Sequence, residues 1–411
     1  MHILIIHQAF ASLEEPGGTR HYELARYLLT RGHQVTVIAS PVSYITGNTS
    51  VERTEHMEGL TVLRAKVYSA HHRSFLHRML AFFSFMISSF WLGLWVQHVD
   101  VVWGTSPPIF QGVTAWALAR IKGARFLFEV RDLWPRFAIA VGVLRNRWLI
   151  SASEWLERFL YRSADRIMVN SPGFVHHVEA RGGRDVELIP NGADPSMFNP
   201  GERGVTYRQA NGLDDRYVVM YAGAHGLSND LGVVLEAARL LKDRPQIQIA
   251  LVGDGKERPA LMAQAAAMGL PNVCFLAPVP KSVMREALAA ADACIAILKP
   301  LEDYKTTYPN KVFDYMAAGR PVALAIDGVI RQVVEAAGCG FFAEPGDPHA
   351  LSEAIRMLAQ NPEKSREMGL AGRRYLEENF SRGRMAERLL QLLEQMVKGR
   401  RDDGMNKETE R

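Results

Sequence analysis

The sequence contains little cysteine. Only Cys274, Cys294 and Cys339 occur, and no two of them form a Cys-x-x-Cys pair. An odd number of cysteines without such a pair argues against a disulfide framework and against a structural zinc site. This cysteine usage favours a reducing compartment.

Several familiar catalytic and binding motifs are also absent. The chain has no Gly-x-Gly-x-x-Gly, Gly-x4-Gly-Lys-[Ser/Thr], His-Glu-x-x-His, Asp-x-Asp or Gly-x-Ser-x-Gly. These absences argue against a dinucleotide fingerprint, a P-loop, a zinc-protease helix and a serine-hydrolase elbow. They also leave no recognisable set of metal ligands. We therefore expect neither a metal nor a resident cofactor.

Length and charge suggest how the chain is divided. A chain of 411 residues is too long for one core and predicts two domains. The net charge of +4 arises in residues 1–199, which hold 20 Lys+Arg against 16 Asp+Glu, whereas the remainder holds 28 of each. This excess indicates an anionic surface or substrate near the first half, but it is too small to indicate nucleic acid.

The order of apolar and amphipathic segments predicts an α/β fold. Buried-strand patterns alternate with helical patterns from His2 to about residue 189, and a second series begins at Tyr217 after a cluster of turn-forming residues. The alternation predicts two doubly wound, Rossmann-like domains with parallel sheets. The predicted parts are a first domain at 1–199, a second at 200–380, a helix at 381–398 returning to the first domain, and a charged, disordered tail at 399–411.

The most informative stretch runs from Tyr308 to Val322. Pro309 suits the start of a helix, and Asn310, Lys311 and Asp314 lie on its first turns, where free backbone N–H groups attract anions. The pattern predicts a nucleotide site in which Lys311 binds phosphate and Asp314 accepts hydrogen bonds from ribose hydroxyls. An ordinary helix–strand unit with a solvated lysine and aspartate fits the same residues.

Glycine-rich loops follow strands in both predicted domains. One contains Pro16-Gly-Gly-Thr19, and two lie in the second domain, after the strands at 217–222 and 247–252. Glycine lets a backbone approach a diphosphate closely, although a plain tight turn explains the same residues. The residues of these loops that we predict to contact the ligand are Gly17, Gly18, Gly223, His225, Gly226 and Lys256.

Charged residues also follow the predicted strand at 126–129. Arg131 and Asp132 come directly after it and precede Trp134. Ionised groups at the end of a buried strand need partners or a ligand, and an Arg–Asp pair suits sugar hydroxyls or phosphate. A purely structural ion pair is the alternative.

Residues 79–99 contain no Asp, Glu, Lys or Arg, and basic residues precede them from Arg64 onwards. The stretch is long enough to span a bilayer, but it lies between strands of one sheet, which argues against a span. Two interpretations remain. The helix is buried as a crossover, or it is partly exposed to lipid with its basic flank against anionic head groups.

Several of these segments together resemble the family-4 retaining glycosyltransferases of the GT-B fold. The resemblance rests on residues 7–10, 17–25, 32–37, 170–173, 189–194, 221–223 with Gly226, and above all 309–321. Residues 131–135, Arg-Asp-Leu-Trp-Pro, are typical of the WbuB-like members, which act in bacterial surface polysaccharide and O-antigen assembly.

The chain departs from the family pattern in two places. The Glu-x7-Glu signature would end at Asp314 and begin at Thr306, so neither position carries glutamate. The basic pair that many relatives carry after residue 223 is also missing. The resemblance therefore requires that Lys256, Arg258, Lys305 or Lys311 bind the diphosphate.

The resemblance implies two Rossmann-like domains facing a central cleft and a metal-independent transfer with retention. The donor would be a nucleoside diphosphate sugar, with UDP and an N-acetylamino sugar favoured. Arg131, Asp132 and Thr306 would be catalytic. The basic and apolar region at residues 64–99 suggests that the acceptor is a membrane-associated, lipid-linked glycan, reached from the inner face of the cytoplasmic membrane. A sugar-nucleotide epimerase or hydrolase of the same fold, or a non-catalytic sugar-nucleotide-binding protein, are the alternatives.

Overall fold

The structure is a computed structural model that describes residues 1–42, 49–50, 52–68, 75–213 and 215–409. It divides into two compact units. The first contains residues 1–12, 17–190 and 383–411, and the second contains 13–16 and 191–382. The chain therefore passes between units after Pro190, whereas the sequence places the boundary at 199.

The first unit is built from strands that alternate with helices. Apolar strands such as His2–Ile6 are buried along their whole length, because helices cover both faces of a parallel sheet. Its elements are β1 (His2–Ile6), α1 (Arg20–Thr30), β2 (Gln34–Ala39), β3 (Thr54–Met57), β4 (Leu60–Arg64), α2 (Phe75–Trp95), β5 (Val101–Ser106), α3 (Phe110–Lys122), β6 (Arg125–Val130), α4 (Arg136–Ala140), α5 (Arg147–Ser163), β7 (Arg166–Val169), α6 (Pro172–Ala180) and β8 (Val186–Leu188).

These strands form one sheet in the order β3-β4-β2-β1-β5-β6-β7-β8. All neighbouring pairs are parallel except β3 with β4, which is antiparallel. Strand order extends from β1 in both directions, so right-handed crossovers place α1 on one face and α2, α3 and α5 on the other. The sequence did not predict β3, because its residues Thr-Glu-His-Met lack an apolar pattern.

The second unit repeats the same alternation. Its elements are α7 (Val205–Ala210), β9 (Tyr217–Ala222), α8 (Leu231–Leu240), β10 (Ile247–Val252), α9 (Arg258–Ala267), β11 (Val273–Leu276), α10 (Lys281–Ala289), β12 (Ala293–Ile297), α11 (Asn310–Ala317), β13 (Val322–Ala325), α12 (Val329–Ala336), β14 (Gly340–Phe342), α13 (Pro348–Gln360) and α14 (Pro362–Asn379).

The second sheet is parallel throughout, in the order β11-β10-β9-β12-β13-β14. Strand order reverses direction at β9 and β12, and such a switch point is where open α/β sheets bind ligands. Apolar clusters on both faces of the sheet bury it. The predicted α/β fold with two doubly wound domains is confirmed.

The chain ends in helix α15 (Arg382–Thr409). The helix enters the stretch 399–411, for which the sequence predicts a disordered tail. Lysine, arginine, glutamate and methionine are good helix formers, and they extend a helix that is already packed at its beginning.

Helix α2 has one buried side and one exposed side. Its buried side includes Phe85 and Ser89. In the described part of the chain, no helix combines the length and the apolar character needed to cross a membrane. The exposed side carries large apolar residues at helical spacing, namely Leu80, Phe83, Ile87, Trp91 and Trp95. Residues 69–74 of the predicted basic flank lie outside the described residues.

Candidate functional site

Lys311 lies at the beginning of α11 and reaches back to the end of β9. Its Nζ donates to Tyr221 Oη at 2.7 Å and lies 3.3 Å from Asn229 Oδ1. A Cβ at Gly223 would lie 3.1 Å from this nitrogen, so glycine allows the ammonium group to approach the loop backbone. The structure thus brings Lys311 and Gly223 together.

The charge of Lys311 is weakly compensated by these neutral neighbours. Burial lowers the pKa of Lys311 to about 7. Its nitrogen also lies 3.9 Å from the centre of the Tyr221 ring, an interaction that favours the charged form. An anionic ligand at this point would stabilise the ammonium form further, so Lys311 is suited to bind phosphate.

Asp314 lies one turn further along α11 and is paired with a lysine. Lys281 Nζ lies 2.5 Å from Asp314 Oδ1, and both side chains are mostly buried. Lys281 begins α10, and its nitrogen is 5.5 Å from the centre of the Phe198 ring. The pair fixes the Asp314 carboxylate near the first turns of α11. A carboxylate held in this way can accept hydrogen bonds from two neighbouring hydroxyl groups.

The loops after β9 and β10 pack directly against each other. His225 N–H donates to Asp254 O at 2.8 Å, and Glu257 N–H donates to His225 O at 3.0 Å. A Cβ at Gly253 would lie 1.9 Å from Gly223 O, and one at Gly255 would lie 2.5 Å from His225 O. Only glycine permits this approach, so the glycines of both loops have a structural role in addition to any ligand contact.

The His225 ring is enclosed between these loops. The residue is fully buried, and neither ring nitrogen has a hydrogen-bond partner among the residues that the structure describes. Burial, together with the positive charge of Arg258, lowers the pKa of His225 to about 4. The imidazole is therefore neutral at pH 7. A buried, unpaired imidazole next to two glycine loops is a candidate contact for a polar ligand.

The other predicted residues of this unit lie on the loop before α9, at the start of α11 and in or next to two short 3-10 helices. Lys256 is exposed on the loop before α9, and Asn310 is exposed at the first position of α11, behind its N-cap residue Pro309. Gly226 precedes a short 3-10 helix at Leu227–Asn229. Thr306 Oγ1 donates to Asp303 O at 2.6 Å.

Among the four basic residues considered for the diphosphate, Lys305 is engaged elsewhere. Its Nζ lies 2.7 Å from Glu302 and 3.6 Å from Asp327. Lys311 Nζ instead contacts the neutral side chains of Tyr221 and Asn229 and lies at the glycine loop. The geometry therefore favours Lys311 over Lys305 as the phosphate ligand.

In the first unit, Arg131 and Asp132 directly follow β6, as predicted. Arg131 Nη1 lies 3.4 Å from His7 Nε2, and Asn170 Nδ2 donates to Arg131 O at 3.3 Å. Burial raises the pKa of Asp132 to about 7, although the charge of Arg131 opposes the shift. A carboxyl group with this pKa exchanges protons readily near neutral pH.

A buried carboxylate, Glu129, lies two residues before Arg131 at the end of the same strand. It accepts hydrogen bonds from Arg20 Nε at 3.0 Å, His21 Nε2 at 2.6 Å and Trp103 Nε1 at 3.2 Å. Burial alone would raise the pKa of Glu129, but His21 and Arg20 outweigh this effect and hold the pKa well below its usual range. Glu129 is therefore ionised in the core.

The two histidines connect Glu129 to Arg131. The ring of His7 packs against that of His21 with centres 3.9 Å apart, and His7 Nδ1 lies 2.8 Å from Thr105 Oγ1. Burial lowers the pKa of His21 to about 4 and lowers that of His7 well below its ordinary value. Both rings are neutral at pH 7, and they position the Arg131 guanidinium at the carboxyl edge of the sheet.

Gly17 and Gly18 precede α1 at this edge. A Cβ at Gly17 would lie 2.8 Å from the Ala11 Cβ, so the loop closes only with glycine at this position. A Cβ at Gly18 would have no atom within 4 Å. Gly18 therefore borders open space, which a ligand can occupy against the backbone.

Two models of known protein families match separate parts of the chain. Residues 17–192 match the glycosyl transferase 4-like domain, and residues 216–361 match the glycosyl transferases group 1 domain. The matched ranges correspond to the two doubly wound sheets. The chain is a glycosyltransferase of the GT-B type.

Relatives and solved structures agree with this assignment. The glycosyltransferase is 25% identical, over 83% of its length and 88% of the relative's, to WcaI of Escherichia coli strain K12, which is provisionally assigned as a colanic acid biosynthesis glycosyl transferase. It shares its fold with sucrose-phosphate synthase of Thermosynechococcus elongatus (TM-score 0.79, 18% identity, 97% of this chain and 99% of that one). It also shares its fold with HepE of Anabaena, solved with UDP-glucose (TM-score 0.70, 16% identity, 96% and 100%).

No group of three or more His, Cys, Asp and Glu side chains arranged to hold a metal ion occurs among the residues of the glycosyltransferase that the structure describes. The basic groups that could interact with a ligand's negative charge are those of the loops and of α11.

Sequence reasoning missed several residues of the two sites. Lys281 precedes Asp314 by 33 positions, and no local pattern joins them. Tyr221, the oxygen partner of Lys311, resembled an ordinary strand residue. Glu129 did leave a signal, because a carboxylate within the apolar strand Arg125–Val130 requires a buried partner.

Proposed function

We propose that the chain transfers a sugar from a nucleoside diphosphate sugar to a glycan acceptor, with retention and without a metal ion. UDP is the favoured nucleotide, since the fold is shared with a protein solved with UDP-glucose. An N-acetylamino sugar is the favoured group, because the motifs resemble those of WbuB-like transferases. The assignment of WcaI supports a role in surface polysaccharide synthesis, with O-antigen as one such product.

The observation that carries this proposal is the placement of Lys311 and Asp314 on the first turns of α11. Lys311 reaches the Gly223 loop, and Asp314 is held by Lys281. We assign the diphosphate to Lys311, the backbone N–H groups of α11 and the glycine loops, and the ribose hydroxyls to Asp314. Charge that develops on the leaving diphosphate would be stabilised by Lys311 and the helix dipole.

Arg131, Asp132 and Thr306 have separate roles in the proposal. Arg131 would orient the acceptor or the sugar, and Asp132, with its pKa near 7, would exchange the proton of the attacking hydroxyl. Thr306 stands where the family signature has its first glutamate and would contact the transferred sugar through its hydroxyl or the nearby backbone.

The acceptor in this proposal is a lipid-linked glycan at the inner face of the cytoplasmic membrane. The exposed apolar side of α2 supports peripheral contact with anionic lipid through residues 64–99. Of the basic residues before this helix, Lys66 is exposed, whereas Arg64 is buried in an ion pair with Glu55. A polyprenyl-diphosphate-linked sugar has the required chemistry, because one end stays in the membrane while the sugar enters solution.

Two other functions fit parts of the same site. A sugar-nucleotide epimerase or hydrolase of this fold would use the donor without an acceptor. A non-catalytic sugar-nucleotide-binding protein would explain why Thr306 and Asp314 replace two glutamates. The exposed side of α2 favours transfer to a membrane-bound acceptor over both.

The experiment is incubation of the purified protein with labelled UDP-sugars, with and without vesicles that contain a lipid-linked sugar acceptor. The proposal expects labelled, lipid-extractable product whose new linkage keeps the donor's anomeric configuration. Free sugar alone would indicate hydrolysis, an isomerised nucleotide sugar would indicate an epimerase, and binding without turnover would indicate the non-catalytic protein.

A further inference from the structure

Helix α5 carries a second exposed apolar face, well outside residues 64–99. Trp148 is 85% exposed and Trp155 is 64% exposed, and Leu149 is also exposed beside Trp148. The two tryptophans are seven positions apart and therefore lie on one side of the helix. Large exposed aromatic residues gathered on one helix face usually indicate a binding surface.

Two further aromatic rings hold Trp155 of this α5 face in place. The Trp155 ring stacks on Phe159 with centres 5.6 Å apart and an interplanar angle of 12°. Phe159 in turn contacts Trp116 of α3 edge-on at 4.9 Å. Because these contacts already restrict the Trp155 ring, little further conformational entropy is lost when it binds a partner.

The charges at the beginning of this face are of one sign, and Glu154, beside Trp155, is paired with Arg158. Residues 133–153 contain three arginines and no Asp or Glu, and both Arg145 and Arg147 are exposed. Helix α5 begins with Arg147 and has no acidic residue in its first turn, although acidic residues there would stabilise the helix. This arrangement opposes local helix stability and complements an anionic surface.

The position of α5 places its face on the same layer as α2. Both helices pack against α3 on one side of the first sheet. Helices of a parallel sheet begin at the carboxyl edge of the strands. Trp148, at the beginning of α5, therefore lies at the edge that also carries Arg131 and Asp132.

We propose that the face formed by Trp148, Leu149 and Trp155, flanked by Arg145 and Arg147, binds the surface of an anionic phospholipid membrane. This inference rests on the proposed function, in which the acceptor is lipid-linked and α2 is one membrane contact. Tryptophan favours the head-group region and arginine pairs with lipid phosphate. Two contacts on one rigid layer bind more tightly than either alone, and they orient the carboxyl edge relative to the lipid surface.

The test compares three double variants of the full chain in sedimentation with vesicles. Trp148→Ser/Trp155→Ser removes the aromatic face, and Arg145→Gln/Arg147→Gln removes the charge. Val205→Ser/Met357→Ser is the matched control, because it removes exposed apolar residues from the second unit. All substituted side chains are exposed, so folding should be preserved, and equal melting temperatures would verify this.

The proposal expects the tryptophan variant to lose on the order of tenfold in partition onto phosphatidylglycerol vesicles. The arginine variant should bind phosphatidylglycerol vesicles more weakly while its binding to phosphatidylcholine vesicles stays unchanged, and the control should bind like the wild type. Wild-type partition by the tryptophan variant would overturn the proposal. So would conversion of a dimer into a monomer with unchanged vesicle binding, because the face would then join two copies of the chain.

Transfer assays separate this inference from the proposed function. The tryptophan variant should transfer sugar to a short soluble acceptor at the wild-type rate and to vesicle-bound acceptor more slowly. If the tryptophan variant transferred sugar at the wild-type rate to both the soluble and the vesicle-bound acceptor, the α5 contact would be overturned and the transferase function would stand. Absence of transfer by the wild type to either acceptor would contradict the proposed function, whatever the vesicle result.

Discussion

Lys281 and Asp314 form a mostly buried ion pair, with Lys281 Nζ 2.5 Å from Asp314 Oδ1. The pair joins the first residue of α10 to the second turn of α11. Aspartate is one methylene shorter than the glutamate of the family signature, so its carboxylate depends on a neighbour for its position. Lys281 supplies that contact.

Replacing Lys281 by methionine should therefore weaken nucleotide binding as well as stability. The loss of a hydrogen bond to a charged group predicts a decrease of about 1.5–3 kcal/mol in the free energy of unfolding. UDP affinity should fall on the order of tenfold, because Asp314 loses its orientation. Calorimetric titration with UDP measures the affinity, and Lys364→Met, at an exposed position, is the control. Unchanged affinity in Lys281→Met would show that the pair is structural only.

UDP affinity should depend on pH through Lys311. Its pKa of about 7 in the free protein means that it loses its proton as the pH rises above 7. A bound diphosphate raises that pKa, so binding takes up a proton and the association constant falls by about tenfold per unit above pH 7. Titrations between pH 7 and 9 in buffers of different ionisation enthalpy measure the uptake. Lys311→Met should bind weakly with no such dependence; a pH-dependent mutant would assign the effect to another group.

Glu129→Gln should destabilise the first unit strongly. The substitution keeps the shape of the side chain but leaves the buried Arg20 guanidinium without its carboxylate. Removing one partner of a buried ion pair costs about 3–5 kcal/mol. Urea unfolding measures this change, and Glu52→Gln, at an exposed position, should stay within about 0.5 kcal/mol of the wild type. A similarly small effect of Glu129→Gln would mean that Arg20 and His21 tolerate a neutral partner at this position.

Asp132→Asn should become more stable relative to the wild type as the pH rises. The pKa of Asp132 is about 7 in the folded protein, so the folded state holds this proton more tightly than the unfolded chain. Between about pH 4 and 7 the wild type therefore loses free energy of unfolding, whereas asparagine does not titrate. Unfolding at pH 5 and pH 8 measures the difference. Asp215→Asn is the exposed control. If Asp132→Asn and the wild type differed by the same free energy of unfolding at both pH values, the raised pKa of Asp132 would be contradicted.

The fold was predictable because each strand and helix is encoded locally. The apolar run at His2–Ile6 and the turn glycine at residue 32 define β1 and α1 without any distant contact. The antiparallel edge strand β3 was not predictable, since Thr54–Met57 has an exposed residue at every second position and little apolar character. Its place depends on pairing with β4.

The candidate sites were predictable only in part. Lys311 and Asp314 share a helix start, so the chain pattern placed them together. The partners Lys281 and Tyr221 come from other elements and meet α11 only through the strand order of the second sheet. The exposure of α5 was also not predictable, because the periodicity of a helix does not say which of its apolar sides stays uncovered.

The most direct test of the account uses thermal unfolding to measure the binding of UDP, GDP, dTDP and ADP to the wild type and to Asp314→Ala. A ligand at a hundredfold over its dissociation constant should add about 2.7 kcal/mol to the free energy of unfolding. The account predicts stabilisation of the wild type by UDP, loss of that effect in Asp314→Ala, and retention of it in the exposed control Asp215→Ala. Absence of stabilisation by any nucleotide, or equal stabilisation of Asp314→Ala, would contradict a nucleotide-sugar site at α11.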